Sequence, residues 1–287
     1  MLVTNERNSR SKESMAGEGQ YAWFTSRRMT MALIIWAIVG NAAWLGLNLM
    51  WKPWSTEILG YVGSPQRNWA VPILTWLQCP PVFLLVIQNW LKHPEWTAPR
   101  GRYTPGRIYP LFSAYNIVGI ALIAAAMTAS GFIVSPLFDL PIFFAWIASF
   151  YFNPWIAGLG CGTSIFLRSI IWGGSGIPFA LGNQWMDTWA YSTIGLLTLH
   201  ILEPRRGTGI RLTPYYALVV IMSQVVQRIM GTFLFIYYST PMPALIPTCW
   251  AWLVMYTIGP GWATAAIALA ISETAIRMTT ARVRVKK

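Results

Sequence analysis

Arg228 is the basic residue set deepest in an apolar run, PYYALVVIMSQVVQRIMGTFLFIYY. Read as a helix rising about 1.5 Å per residue, this segment carries Arg228 to hydrocarbon depth, where a guanidinium costs at least ~2.5–3.5 kcal/mol. The residue therefore calls for a partner or a wet cavity. Gln224 lies one turn earlier and Gln227 is adjacent, so three polar groups form one patch. A guanidinium beside amides suits a carboxylate or amide ligand, held by two parallel N–H donors. A structural ion pair, or an arginine capping free carbonyls between helices, meets the same demand, and both readings stay open.

A second group of polar and aromatic residues stands in GNQWMDTW: Asn183, Gln184, Trp185, Asp187 and Trp189. Asp187 precedes TWAYST and fits either a ligand contact or a helix N-cap. The rings of Trp185 and Trp189, with Tyr237, Trp250 and Trp252 further along, could sandwich a planar heterocycle while a few polar groups orient it. An aromatic belt at lipid headgroups is the plainer account of much of this tryptophan. Glu273 is most simply an i,i+4 partner of Arg277. Arg168, placed near the inner end of its span, either snorkels to lipid phosphate or meets a cytoplasmic partner.

Other chemistries find few residues to work with. Cys79, Cys161 and Cys249 stand apart in apolar surroundings with no CxxC, which argues against a disulfide framework or a zinc site. An imidazole-based metal or haem centre would have to combine His93 with His200, so no metal and no cofactor is expected. There is no GxxxxGK[ST] phosphate loop, no Ser/His/Asp grouping and no acidic cluster in the apolar runs, and a catalytic role is not expected.

The elements that would carry these residues are membrane helices. Of the 287 residues, 55% are hydrophobic and only 10% charged, against about 25% charged in soluble domains. Apolar runs near the ~20 residues of a bilayer crossing recur at about 29–50, 70–91, 108–134, 141–159, 164–180, 188–202, 214–238 and 245–278. Pro80-Pro81 is expected to kink the second run. Gly173-Gly174 and Gly176 break the end of the fifth, and Gly259-Pro260-Gly261 divides the eighth. The expected fold is all-α: a polytopic membrane bundle of about eight transmembrane helices. It comprises a polar cytoplasmic tail (1–28), two additional helices with a basic inner loop (29–107), a six-helix module (108–278) and a basic tail (279–287).

The charges orient this bundle. With 21 Lys+Arg against 9 Asp+Glu the net charge is +12, which on a soluble protein would suggest nucleic acid. Here every basic residue except Lys52, Arg67, Arg168 and Arg228 falls in the two tails, in two alternate loops or, as Arg277, at the cytoplasmic end of the eighth run. That is the positive-inside pattern, with both termini cytoplasmic, and it leaves no nucleic-acid partner to invoke. The first 28 residues lack the apolar core of a cleavable signal.

Within the six-helix module, YNIVGIALIAAAMTASGFIVS places Ala121, Ala125 and Ala129 at four-residue spacing, a smooth stripe along one helix face. A later helix ends in NPWIAGLGCG. These features resemble the substrate-binding S-components of energy-coupling factor (ECF) vitamin transporters, six-helix membrane subunits whose first helix bears an AxxxA-type motif. The resemblance covers about 108–277 and implies that Ala121, Ala125 and Ala129 contact a transmembrane coupling subunit. It also implies separate cytoplasmic ATPases and a ligand bound from outside, at Trp185, Asp187, Trp189, Gln224, Gln227, Arg228, Tyr237, Trp250 and Trp252. The two preceding helices depart from that pattern.

The expected function is thus capture of a small, aromatic or amphipathic nutrient at the cell (inner) membrane, energised by other chains. A structural or assembly subunit of a larger membrane complex is the alternative, and a lipid- or isoprenoid-modifying membrane enzyme is a third.

Overall fold

The computed structural model describes residues 21–50, 79–96, 98, 110–133, 140–171, 177–206, 208–227 and 261–285. Among them the chain is all helical: α1 (Arg27–Met50), α2 (Cys79–Lys92), α3 (Ala114–Ser130), α4 (Leu140–Tyr151), α5 (Pro154–Ile171), α6 (Ile177–Leu202), α7 (Thr213–Val226) and α8 (Gly261–Val285). Short 3₁₀ turns at Pro94–Trp96 and Glu203–Arg205 follow α2 and α6.

Local chemistry sets the helix ends. Ser113 caps α3, its hydroxyl accepting from the Asn116 N–H. Asn153 Oδ1 accepts from the Ile156 N–H at 2.9 Å, and Pro154 takes the first helical position, where its missing N–H costs nothing. This Asn-Pro start ends α4 at Tyr151 and moves the expected turn. The fourth and fifth runs divide at Phe152-Asn153, and GLGCG lies inside α5. A further correction follows in α6, which begins at Ile177, so that Asp187 lies well inside a 26-residue helix and is not an N-cap. Pro80 and Pro81 sit in the first turn of α2, a position that tolerates proline, instead of kinking its interior.

Helix α6 is the hub of the bundle, packed against α2, α4, α5 and α7. Helix α3 lies on α5 and α4, α8 on α4 and α7, and α1 on α2. The main core gathers Ile123 and Met127 of α3, Trp146 and Phe150 of α4, Ile156 and Cys161 of α5, Tyr191 and Ile194 of α6, Val219 of α7, and Ala265 and Leu269 of α8. Trp146 stacks on Phe150 at 5.7 Å and meets Tyr191 edge-on at 6.1 Å. Asn153 Nδ2 donates to Asn116 Oδ1 at 2.9 Å, tying α3 to the α4–α5 turn.

The closest contact is α5 on α6. Gly158 and Gly162 lie one turn apart on the α5 face that meets Thr188 and Ser192, whereas Gly160 turns toward Ile123 of α3. Gly195 of α6 in turn accepts Pro154, and Ser192 Oγ donates to the Pro154 carbonyl at 3.1 Å. The glycines expected at the end of a helix thus lie inside α5 and serve close helix packing.

Apolar side chains also cover the periphery: Ile34, Ile35, Trp36, Ile38 and Val39 on α1, Ile117, Val118 and Leu122 on α3, and Ile221 and Val225 on α7 are exposed. Among the described helices, α5 is long and apolar enough to cross a membrane, with mean hydropathy 1.2, while α3, α4 and α7 are shorter apolar helices.

A Cβ at position 162 would stand 2.0 Å from Thr188 Oγ1 and 2.7 Å from the Gln184 carbonyl oxygen. Gly162→Ala should therefore destabilise the detergent-solubilised protein by about 1–3 kcal/mol, the usual cost of overpacking. At Gly40 the nearest atom would be Trp36 Cδ1 at 3.5 Å, and Gly40→Ala should be neutral or stabilising by up to ~1 kcal/mol. Thermal unfolding followed by tryptophan emission checks the pair.

Candidate functional site

The expected ligand residues on α6 separate onto two faces. Residues 185 and 189 are one turn apart, while 187 lies on the other side of the helix. Trp185 meets Phe83 of α2 edge-on at 6.2 Å, and its carbonyl accepts from the Cys79 thiol at 3.3 Å. Trp189 is buried with Cys79, Val82 and Val86 of α2 and with Phe179 and Met186, and Val226 of α7 borders the same cluster. The two tryptophans thus dock α2 onto the hub. They do not form one cage with Asp187.

Asp187 instead faces α5. The charge of Arg168, in the last turn of α5, acts on it, and Asp187 in turn acts on the buried Cys161. This places Arg168 at the end of α5 away from the α4–α5 turn. Nearby, Asn183 Nδ2 donates to Ser169 Oγ at 3.4 Å, and the hydroxyls of Thr128 and Ser164 are paired at 3.1 Å between α3 and α5. Polar pairs therefore join α5 to α6 on one side and to α3 on the other.

Gln224, on α7, donates from Nε2 to the Gly261 carbonyl at 2.9 Å and so holds the start of α8. Gln227 is buried at the end of α7. Arg228, Tyr237, Trp250 and Trp252 lie outside the described residues. Several of the expected residues carry buried polar atoms that find no partner among the described residues: Asn183 Oδ1, Gln224 Oε1 and Trp189 Nε1. The same holds of atoms elsewhere in the bundle, among them Trp146 Nε1 and Ser272 Oγ.

Two further clusters were not foreseen. Glu273, 6% exposed, pairs with Arg206, which also pairs with Glu203. Tyr216 donates to Glu273 Oε2 at 3.1 Å and accepts from Arg277 at 3.2 Å. The expected Glu273–Arg277 pair is thus replaced by a relay through Tyr216, which binds the end of α6 to α7 and α8. Burial alone works against the Arg206 charge, but the Glu203 and Glu273 carboxylates outweigh it and raise the guanidinium above the ordinary arginine range. Arg205 lies over the Tyr215 ring, 4.3 Å from its centroid.

The second cluster joins the two histidines. His93 stacks on Trp96 at 3.9 Å, and His200 of α6 meets Trp96 edge-on at 5.2 Å, with the imidazoles 6.4 Å apart. Glu95 Oε1 lies 3.1 Å from His93 Nδ1. Among the described residues no group of three or more His, Cys, Asp or Glu is placed to hold a metal ion. The cluster fastens α2 to α6. More than a hundred residues separate its halves, so sequence spacing carries no signal for it.

Compared with family models, characterised proteins and solved structures, the chain matches none.

Arg206→Ala would leave Glu273 buried with Tyr216 as its remaining described donor. A loss of about 3–5 kcal/mol is expected, as for other buried pairs broken on one side. Replacing both partners, Arg206→Met with Glu273→Leu, should recover most of it. Denaturant unfolding of the three proteins in one detergent tests this.

Proposed function

We propose that the chain is a polytopic membrane subunit that captures a small ligand and docks on a separate coupling protein, in the manner of the S-components it resembles. Its place would be the cell (inner) membrane with both termini cytoplasmic, and its energy would come from ATPases on other chains.

The observation that carries the reading is the state of the alanine stripe. Ala121, Ala125 and Ala129 all face outward on α3, while Gly119, Ile123, Ala124 and Met127 of the same helix pack inward. The stripe is not consumed by packing within the described chain. Its smooth surface, flanked by Val118 and Leu122, suits a close-approaching helix from another protein. The membrane setting is supported by the exposed apolar residues on α1, α3 and α7, since soluble monomers seldom expose extended apolar patches. Ligand capture rests on the resemblance, since Asn183, Trp189 and Gln224 turn toward α5, α2 and α8 respectively.

A structural or assembly subunit is the second reading, favoured by the use of Trp185 and Trp189 to hold α2. That role predicts co-purification with a large complex and no ligand.

Ala125→Trp places a large ring in the stripe, where Ala125 meets no close neighbour in the chain's own core. The substituted protein, purified from native membranes, should lose an associated coupling protein and ATPase pair while keeping its melting temperature. Retention of those partners by the variant, or purification of the parent with a complex lacking any ATPase, would remove the reading.

A further inference from the structure

We infer that the turn at residues 21–28 is a docking patch for an anionic lipid surface, with Tyr21 and Trp23 entering the headgroup layer and Arg27 and Arg28 meeting its phosphates. The inference rests on the membrane setting of the reading above. It needs no particular helix to cross the bilayer, and it is independent of the coupling protein and of the captured ligand.

These residues close the segment expected as a polar tail, yet they are folded. The Thr25 N–H donates to the Tyr21 carbonyl at 2.9 Å, and the Ser26 N–H to that of Trp23 at 3.4 Å. Ser26 Oγ then accepts from the Met29 N–H at 3.2 Å and so opens α1. Gln88 of α2, 2% exposed, holds the turn from behind by donating from Nε2 to the Phe24 carbonyl. Its Oε1 accepts from Thr30 Oγ1 at 2.7 Å, and that hydroxyl accepts from Lys92 Nζ, also at 2.7 Å. A buried amide thus clamps the turn against the end of α2.

What the clamp presents is aromatic and basic. Trp23 is 66% exposed and Tyr21 46%, and Phe24 meets Trp23 edge-on at 5.6 Å. Such rings, with an apolar body and a polar edge, suit the boundary between headgroups and acyl chains. The charges beside them are of one sign: Arg27 and Arg28 are exposed in the first turn of α1, and Lys92 is exposed at the end of α2. Among the described residues no carboxylate pairs with either arginine, and Glu95, on the turn that follows α2, meets His93 instead. Cations in a first turn oppose the helix dipole, so α1 itself gives no reason for them. An anionic leaflet does, because it attracts both guanidiniums and offers each a phosphate that takes paired donors. A free anion would engage the arginines and leave the rings idle, whereas a lipid surface engages both.

The test is hydroxyl-radical footprinting of the full chain in nanodiscs, with oxidised tryptophans mapped by mass. One disc is phosphatidylcholine, the other equal parts phosphatidylcholine and phosphatidylglycerol. Trp23 should be oxidised about threefold less in the anionic disc, as expected for two guanidiniums drawn to a charged surface. Trp36, exposed further along α1, should be oxidised alike in both. Salt at about 1 M, where the screening length is about 3 Å, should remove most of the difference. Arg27→Gln combined with Arg28→Gln should remove it as well. Equal oxidation of Trp23 in the two discs, or a difference that survives salt and the double substitution, would overturn the proposal. So would protection in phosphatidylcholine discs by inorganic phosphate, which would make the turn a free-anion site. Alkaline extraction of native membranes reads the setting separately. A chain released by alkali fails the membrane setting and this inference with it, while a retained chain with Trp23 oxidised equally in both discs fails this inference alone.

Discussion

The backbone contact between α5 and α6 sets the geometry of the rest. Gly158 and Gly162 remove side chains from one face of α5, and Thr188 and Ser192 of α6 occupy that space. Two helices brought this close gain dispersion contacts along their length. They also fix the rotation of α6, on which nearly everything else depends. With Thr188 and Ser192 turned to α5, Asn183 meets Ser169 of α5, while Trp185 and Trp189 must face α2. One seam of glycines thereby assigns the polar face and the docking face of the hub helix.

The remaining helices divide the work of closing the bundle. At one end of α6 the Glu203–Arg206–Glu273–Tyr216 network draws α7 and α8 together. Helix α2 is attached by two different means: an apolar seam around Trp189 and the His93–Trp96–His200 aromatic cluster. Helix α2, with α1 packed on it, is therefore joined to the other helices through α6. This arrangement leaves the alanine face of α3, on the far side of α5, open for another protein.

How much of this was legible in the sequence follows from what each signal measures. Apolar runs located all eight described helices, because hydrophobicity is read over many residues at once. Their junctions were harder. GNQWMDTW looked like a loop because a helix packed on several sides can carry polar residues toward its neighbours, and hydropathy then falls without any break in the helix. GLGCG looked like a turn because glycine permits one, yet in close helix pairs the missing Cβ is what matters. The Asn153-Pro154 start was readable as an N-cap followed by proline, and it places the turn better than the glycines do. The alanine spacing was read correctly as one face, but only the structure shows that this face points outward. Glu273 had a sound local partner in Arg277, and a residue 67 positions away displaced it. Arg228, the residue most singled out by its depth, lies outside the described residues together with Tyr237, Trp250 and Trp252.

The central claim is that the outward face of α3 is a seat for another protein's helix and not a surface for lipid. A photoreactive residue introduced at position 125, activated in native membranes, tests it most directly, with position 221 on the exposed apolar face of α7 as the lipid-facing reference. A discrete protein adduct is expected from position 125 and mainly lipid adducts from position 221. Lipid adducts alone from both positions would contradict it.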